Sequence, residues 1–113
     1  MPSELTAQSI QETHFRLAFR GYRMSEVDAF LDRVARYVGY LVEDNRRLEE
    51  VGKEGRFRLG MPTHPDAVSP DQVRSVTFGL SFRGYQPRDV DRFLDDITAG
   101  LERLLRENTT LRS

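Results

Sequence analysis

The sequence predicts an all-α, pseudo-dimeric fold: two repeats, each a short capping helix, a loop and a long helix, with the long helices pairing as a parallel coiled coil. Three observations predict it. First, Phe19-Arg20-Gly21-Tyr22 and the following Glu26-Val27-Asp28-Ala29-Phe30-Leu31-Asp32 return as Phe82-Arg83-Gly84-Tyr85 and Asp89-Val90-Asp91-Arg92-Phe93-Leu94-Asp95. One gap-free offset of 63 residues also lays Phe15 on Phe78, Leu17 on Leu80, Asn45 on Asn108 and Leu48 on Leu111, so the chain is a tandem duplication. Second, each copy opens with the same helix-start device. Third, each closes on a heptad seam with an asparagine at the same level. The repeats span 1–51 and 68–113, joined by a linker over 52–67.

In the first short helix Thr6 is the expected N-cap, with Leu5 and Ile10 placed as a hydrophobic staple. The second copy repeats the device: Ser69 caps, Pro70 takes the first helical position, Gln72 completes a capping box, and Val68 and Val73 form the staple. Phe15-Arg16-Leu17-Ala18-Phe19 then alternates at period two before a turn at Arg20-Gly21, as does Phe78 to Phe82 before Arg83-Gly84. This reads as a short extended loop with its apolar side chains pointing one way. Gly21 and Gly84 are expected to adopt positive φ, which costs other residues more.

The long helix is expected to start at Ser25 as cap, with Asp28 near its positive end. Val27, Leu31, Val34, Val38, Leu41, Asn45 and Leu48 follow at steps of four and three; Val90, Leu94, Ile97, Leu101, Leu104, Asn108 and Leu111 repeat the seam. An asparagine in such a seam satisfies its amide by meeting its like, so Asn45 beside Asn108 is the expected register pair. Phe30, Tyr37 and Phe93 widen the apolar face and need a cover, which the short helix and the Phe-rich loop can supply. Flanking charges do not choose the pairing, since Asp44 with Arg112 attracts while Glu107 with Glu49 repels.

Gly52, Gly55, Gly60, Pro62 and Pro65 mark the linker. To bring the helices parallel within one chain it must return along about 39 Å of helix. Its residues can span at most about 55 Å. An intramolecular pair is thus feasible, and an antiparallel hairpin and an intermolecular dimer stay open. Phe57, Leu59 and Met61 alternate within it and are expected to lie against the neck, or else to form a partner-binding strand.

Each repeat, at roughly 45 residues, is near the size at which a core needs a partner, so neither should be stable alone. A net charge of −1 gives no basic field to draw the chain to nucleic acid. A helix-turn-helix reading fails because the long helix begins with Glu26, Asp28 and Asp32. Without cysteine there is no disulfide, thiolate metal site or cysteine nucleophile. Met1-Pro2-Ser3-Glu4 has no signal-peptide character, and no apolar run approaches the roughly 20 residues that span a bilayer. His14 and His64 lack metal-ligand spacing, and no phosphate loop or nucleophile motif is present. No enzyme, cofactor or metal is expected.

Leu5-Thr6, Ile10, Phe15, the Phe19-Arg20-Gly21-Tyr22 run and the helix start after it closely resemble the N-terminal domain of DivIVA proteins, bacterial organisers of cell division and polar growth. The second copy resembles it equally. The resemblance implies crossed loops at the tip of a parallel coiled coil. It also implies that Phe19 with Arg20, and Phe82 with Arg83, contact an anionic membrane, placing the protein in the cytoplasm on the inner face of the cell membrane, at septum or pole. Two such tips on one neck would bind with avidity. The alternative is that both phenylalanines are buried in the head and both arginines serve internal salt bridges.

The related GpsB branch docks arginine-containing cytoplasmic tails of cell-wall synthases through a tyrosine and two helix carboxylates. By position these are Tyr22, Asp28 and Asp32, and Tyr85, Asp91 and Asp95 in the second copy. The alternative is that these aspartates cap the helix and bond Arg20 or Arg23. Typical members carry one head per chain and a long coiled coil. Two heads in 113 residues suggest an accessory scaffold or adaptor, as a pseudo-dimeric monomer or a homodimer, with division or cell-wall synthesis proteins as partners.

Overall fold

The computed structural model describes residues 4–56 and 64–112. The chain runs α1 (Ala7–Gln11), β1 (Leu17–Tyr22), α2 (Met24–Arg56), α3 (Pro70–Ser75), β2 (Leu80–Tyr85) and α4 (Pro87–Arg112). Both short helices begin with a complete capping box. Thr6 Oγ1 accepts from the Ser9 amide at 3.0 Å, and Ser69 Oγ accepts from the Gln72 amide at 3.1 Å; Ser9 Oγ and Gln72 Oε1 return the bond to each cap's own N–H. Leu5, Ile10, Val68 and Val73 are all buried. The long helix starts a residue before the expected cap: α2 begins at Met24, so Ser25 lies in its first turn while the Arg23 carbonyl accepts from Glu26 and Val27.

The fold is mostly helical, but not wholly. The two loops form a two-stranded sheet, β1 on β2, because each loop offers the other the backbone donors and acceptors that would otherwise stay unpaired. Tyr22 faces its own equivalent Tyr85, as in a parallel pair. The remaining partners descend along β2 as they rise along β1: Leu17 with Tyr85, Ala18 with Gly84, Phe19 with Arg83, Gly21 with Ser81 and Tyr22 with Leu80. The strands therefore cross.

Gly21 and Gly84 sit buried at this crossing, and neither has the expected positive φ; that conformation falls on Arg20, at 57°. Their need is proximity. A Cβ on Gly21 would lie 2.6 Å from the Gly84 carbonyl oxygen, and one on Gly84 would lie 2.7 Å from the Gly21 carbonyl carbon. The apolar loop side chains do not point one way either: Phe15 and Phe78 pack inward, whereas Leu17, Phe19, Leu80 and Phe82 face outward.

The core is one cluster. Val27, Leu31, Val34, Val38 and Leu41 of α2 pack with Val90, Leu94, Ile97, Leu101 and Leu104 of α4, and the capping helices close the sides with Leu5, Ile10, Val68 and Val73. Asn45 and Asn108 are 5% exposed and meet: Asn108 Nδ2 donates to Asn45 Oδ1 at 2.8 Å, and Asn45 Nδ2 donates to the Leu104 carbonyl at 3.2 Å. Asp44 and Arg112 flank them, 2.6 Å apart.

Phe15 covers Phe93 and Tyr85, and Phe78 covers Phe30 and Tyr22, so each copy roofs the other. Gly52, at φ 68° and ψ −179°, interrupts α2 near its end. Phe57, Leu59 and Met61 lie outside the described residues. The returning chain is fixed to α2 by Arg36 on Asp66 at 2.8 Å, by Arg33 donating to the Ala67 carbonyl, and by His64 resting on Tyr40.

Candidate functional site: the crossed tip and its flanking grooves

The crossing brings both Phe-Arg pairs into one tip rather than two. Phe19 and Phe82 stand edge to face with ring centroids 4.6 Å apart, yet remain 68% and 77% exposed. Leu17 and Leu80 extend the apolar surface beside them. Exposed aromatic pairs of this kind forgo burial free energy, which marks them as candidates for contact with something else. The reading in which both phenylalanines are buried in the head does not hold. Arg20 and Arg83 are exposed and form no ion pair among the described residues, whereas Arg23 is paired with Glu26 at 2.8 Å and Arg16 with Asp89 at 2.8 Å.

The Arg16–Asp89 contact had no signal in the sequence, because it joins copies. Arg16 donates to the Asp89 carboxylate from its amide, Nε and Nη2. These bonds hold the Asp89 carboxyl at about 2, well below its ordinary value. The pseudo-equivalent bond runs from the Gly79 amide to Glu26 Oε1 at 2.8 Å and likewise lowers the Glu26 carboxyl.

The tyrosine–aspartate groups are also exchanged. Tyr85 Oη donates to Asp28 Oδ1 at 2.8 Å, and Tyr22 Oη to Asp91 Oδ1 at 2.9 Å, so each tyrosine serves the other copy's helix. In space, then, Tyr85 rather than Tyr22 stands with Asp28 and Asp32, and Tyr22 rather than Tyr85 bonds Asp91. Partial burial, then the carboxylate bond, raises both phenol pKa values. A cleft of about 340 Å³ opens beside the first group, lined by Gln11, His14, Phe15, Asp28, Asp32 and Tyr85. Neither aspartate of that cleft bonds Arg20 or Arg23. Among the described residues no three His, Asp or Glu side chains come together as a metal site.

The family model described as DivIVA protein matches residues 5–61 and again residues 68–113. The chain belongs to the DivIVA family. Each match holds a capping helix, a tip strand and a long helix, so the molecule is a tandem of DivIVA units whose strands interlock. DivIVA proteins are scaffolds of cell division or polar growth, without catalytic activity of their own. Comparisons of the chain with curated proteins and with solved structures find no match. No described helix of this DivIVA chain is long and apolar enough to cross a membrane.

Proposed function

We propose that this DivIVA-family chain is a non-catalytic adaptor of bacterial cell division or polar growth, which rests on the inner face of the cell membrane through its tip and recruits partner proteins. The observation that carries the reading is the tip itself: two exposed, mutually packed phenylalanines flanked by two exposed arginines that form no ion pair among the described residues. Apolar rings suit the acyl boundary, and each basic residue near an anionic surface contributes about 1 kcal/mol. Because both rings share one tip, they insert as a single wedge. In this reading α2 and α4 form a parallel coiled-coil neck inside one chain; the seams buried from Val27 to Leu48 and from Val90 to Asn108 and the Asn108 to Asn45 bond support it.

The test is co-sedimentation with phosphatidylglycerol-rich vesicles. The wild type is expected to pellet, and a Phe19→Ala, Phe82→Ala variant with unchanged helicity to stay in the supernatant. Equal pelleting of both would remove the tip from membrane binding.

A second reading is favoured by the cleft beside α1. Its carboxylates four residues apart and the Tyr85 hydroxyl suit a guanidinium, so the head would dock arginine-containing cytoplasmic tails of cell-wall enzymes. Loss of such binding in Asp28→Asn, with tip and lipid binding intact, separates the two readings.

A further inference from the structure

Duplication would make the two halves interchangeable if their contact surfaces were still alike. They are not. Leu5 of the first unit packs onto Gly100 of α4, where a Cβ would lie 2.8 Å from both Leu5 Cβ and Cδ2. The residue of α2 equivalent to Gly100 is Tyr37. Two first units paired together would drive Leu5 into a phenol ring, and two second units would set the smaller Val68 over Gly100 and leave a gap.

The head differs in the same sense. Arg16 reaches Asp89, but its equivalent is Gly79, and a side chain there would crowd the Arg23–Glu26 pair: a Cβ on Gly79 would lie 3.3 Å from Arg23 Cζ and 3.3 Å from Glu26 Oε2, so that pair would have to shift. Pairing two first units would bring Arg16 to the place where Arg23 already serves Glu26. At the far end of the seam, Asp44 and Arg112 are 13% and 12% exposed and close around Asn108. Two first units would set Asp44 against Glu49 twice. Charge alone would allow two second units, through Glu107 and Arg112, but the gap at Gly100 opposes them.

We infer that the halves have become complementary surfaces: the first unit accepts the second unit and rejects a second copy of itself, so the head is closed to symmetric pairing with identical units. This rests on the neck pairing proposed above. Burial of mismatched side chains, rather than tethering alone, enforces it, since overpacking and voids both destabilise.

The chain has no cysteine, so cysteine trapping in this 113-residue chain is clean. Single variants Asn45→Cys and Asn108→Cys are expected to give no interchain disulfide under mild oxidation, and the double variant a disulfide joining first unit to second. Dimers trapped by either single variant, alongside an intrachain disulfide in the double variant, would overturn the inference while leaving neck pairing intact. No disulfide in any variant of native helicity would overturn neck pairing and the inference together. As an independent measure, Gly100→Tyr is expected to lower the melting temperature by about 10 °C, and adding Leu5→Ala to recover part of it. An unchanged melting temperature in Gly100→Tyr overturns the size complementarity.

Discussion

At the strand crossing, Gly21 and Gly84 are pressed against each other's backbone, and backbone cannot move aside as the end of a side chain can. Gly84→Ala is therefore expected to destabilise the head by about 3 kcal/mol, the upper range for overpacking, as read by urea denaturation. A loss below about 0.5 kcal/mol would show that the crossing is loose. Asp89 makes a prediction in pH. Its folded pKa of about 2 lies below the model-compound value of 3.8, so its contribution is complete above that value and is lost as pH falls toward 2. Wild-type melting temperature should drop over this window, and Asp89→Asn should melt lower at neutral pH with a flatter acid profile. An unchanged acid profile would mean that Arg16 and Asp89 are not paired in solution. The repeated Phe-Arg-Gly-Tyr run identified these positions as special, but not why. Local sequence suggests a turn at Gly21, whereas the requirement is the absence of a side chain facing a strand 63 residues away.

Among the elements, the start of each short helix was legible from its N-cap and staple, as was the Ser69–Gln72 box, because these are written within a few residues and need no tertiary contact; the bond that Ser9 returns to Thr6 was not anticipated. The long helices were legible through their periodicity, and every seam residue from Val27 to Leu48 is buried. The sheet was not legible: strands that pair across copies leave only a period-two pattern, which an extended loop shares. The asparagine pair gives the prediction at this scale. Asn108→Leu strands the Asn45 carbonyl oxygen and withdraws a partner from Asp44, and should cost about 1–3 kcal/mol. Replacing Asn45 with leucine as well removes the stranded group and should recover most of that loss in denaturant titrations. A double variant no more stable than the single one would place the cost elsewhere in the network.

For the whole molecule, the decisive feature is that nearly every contact of the tip and its grooves joins one copy to the other. Phe15 needs Phe93, Phe78 needs Phe30, and each tyrosine needs the other copy's aspartate. Residues 1–51 and 68–113 expressed separately should accordingly show little helical circular dichroism at micromolar concentration, and mixing them should restore it. Stable helicity in either fragment alone would mean that a repeat can complete its own core. Amino-acid sequence by itself determined the helix caps and the seam, each a pattern within a few turns of chain, and the duplication, which one offset of 63 residues exposes; the tip residues followed from the family resemblance. Tertiary structure alone decided that both phenylalanines share one exposed tip and that tyrosines and aspartates are exchanged between copies, whereas the crossing of the loops was expected only from the family resemblance. Those outcomes depend on which surface meets which across 63 residues, and an offset that aligns two copies carries no record of how they interlock.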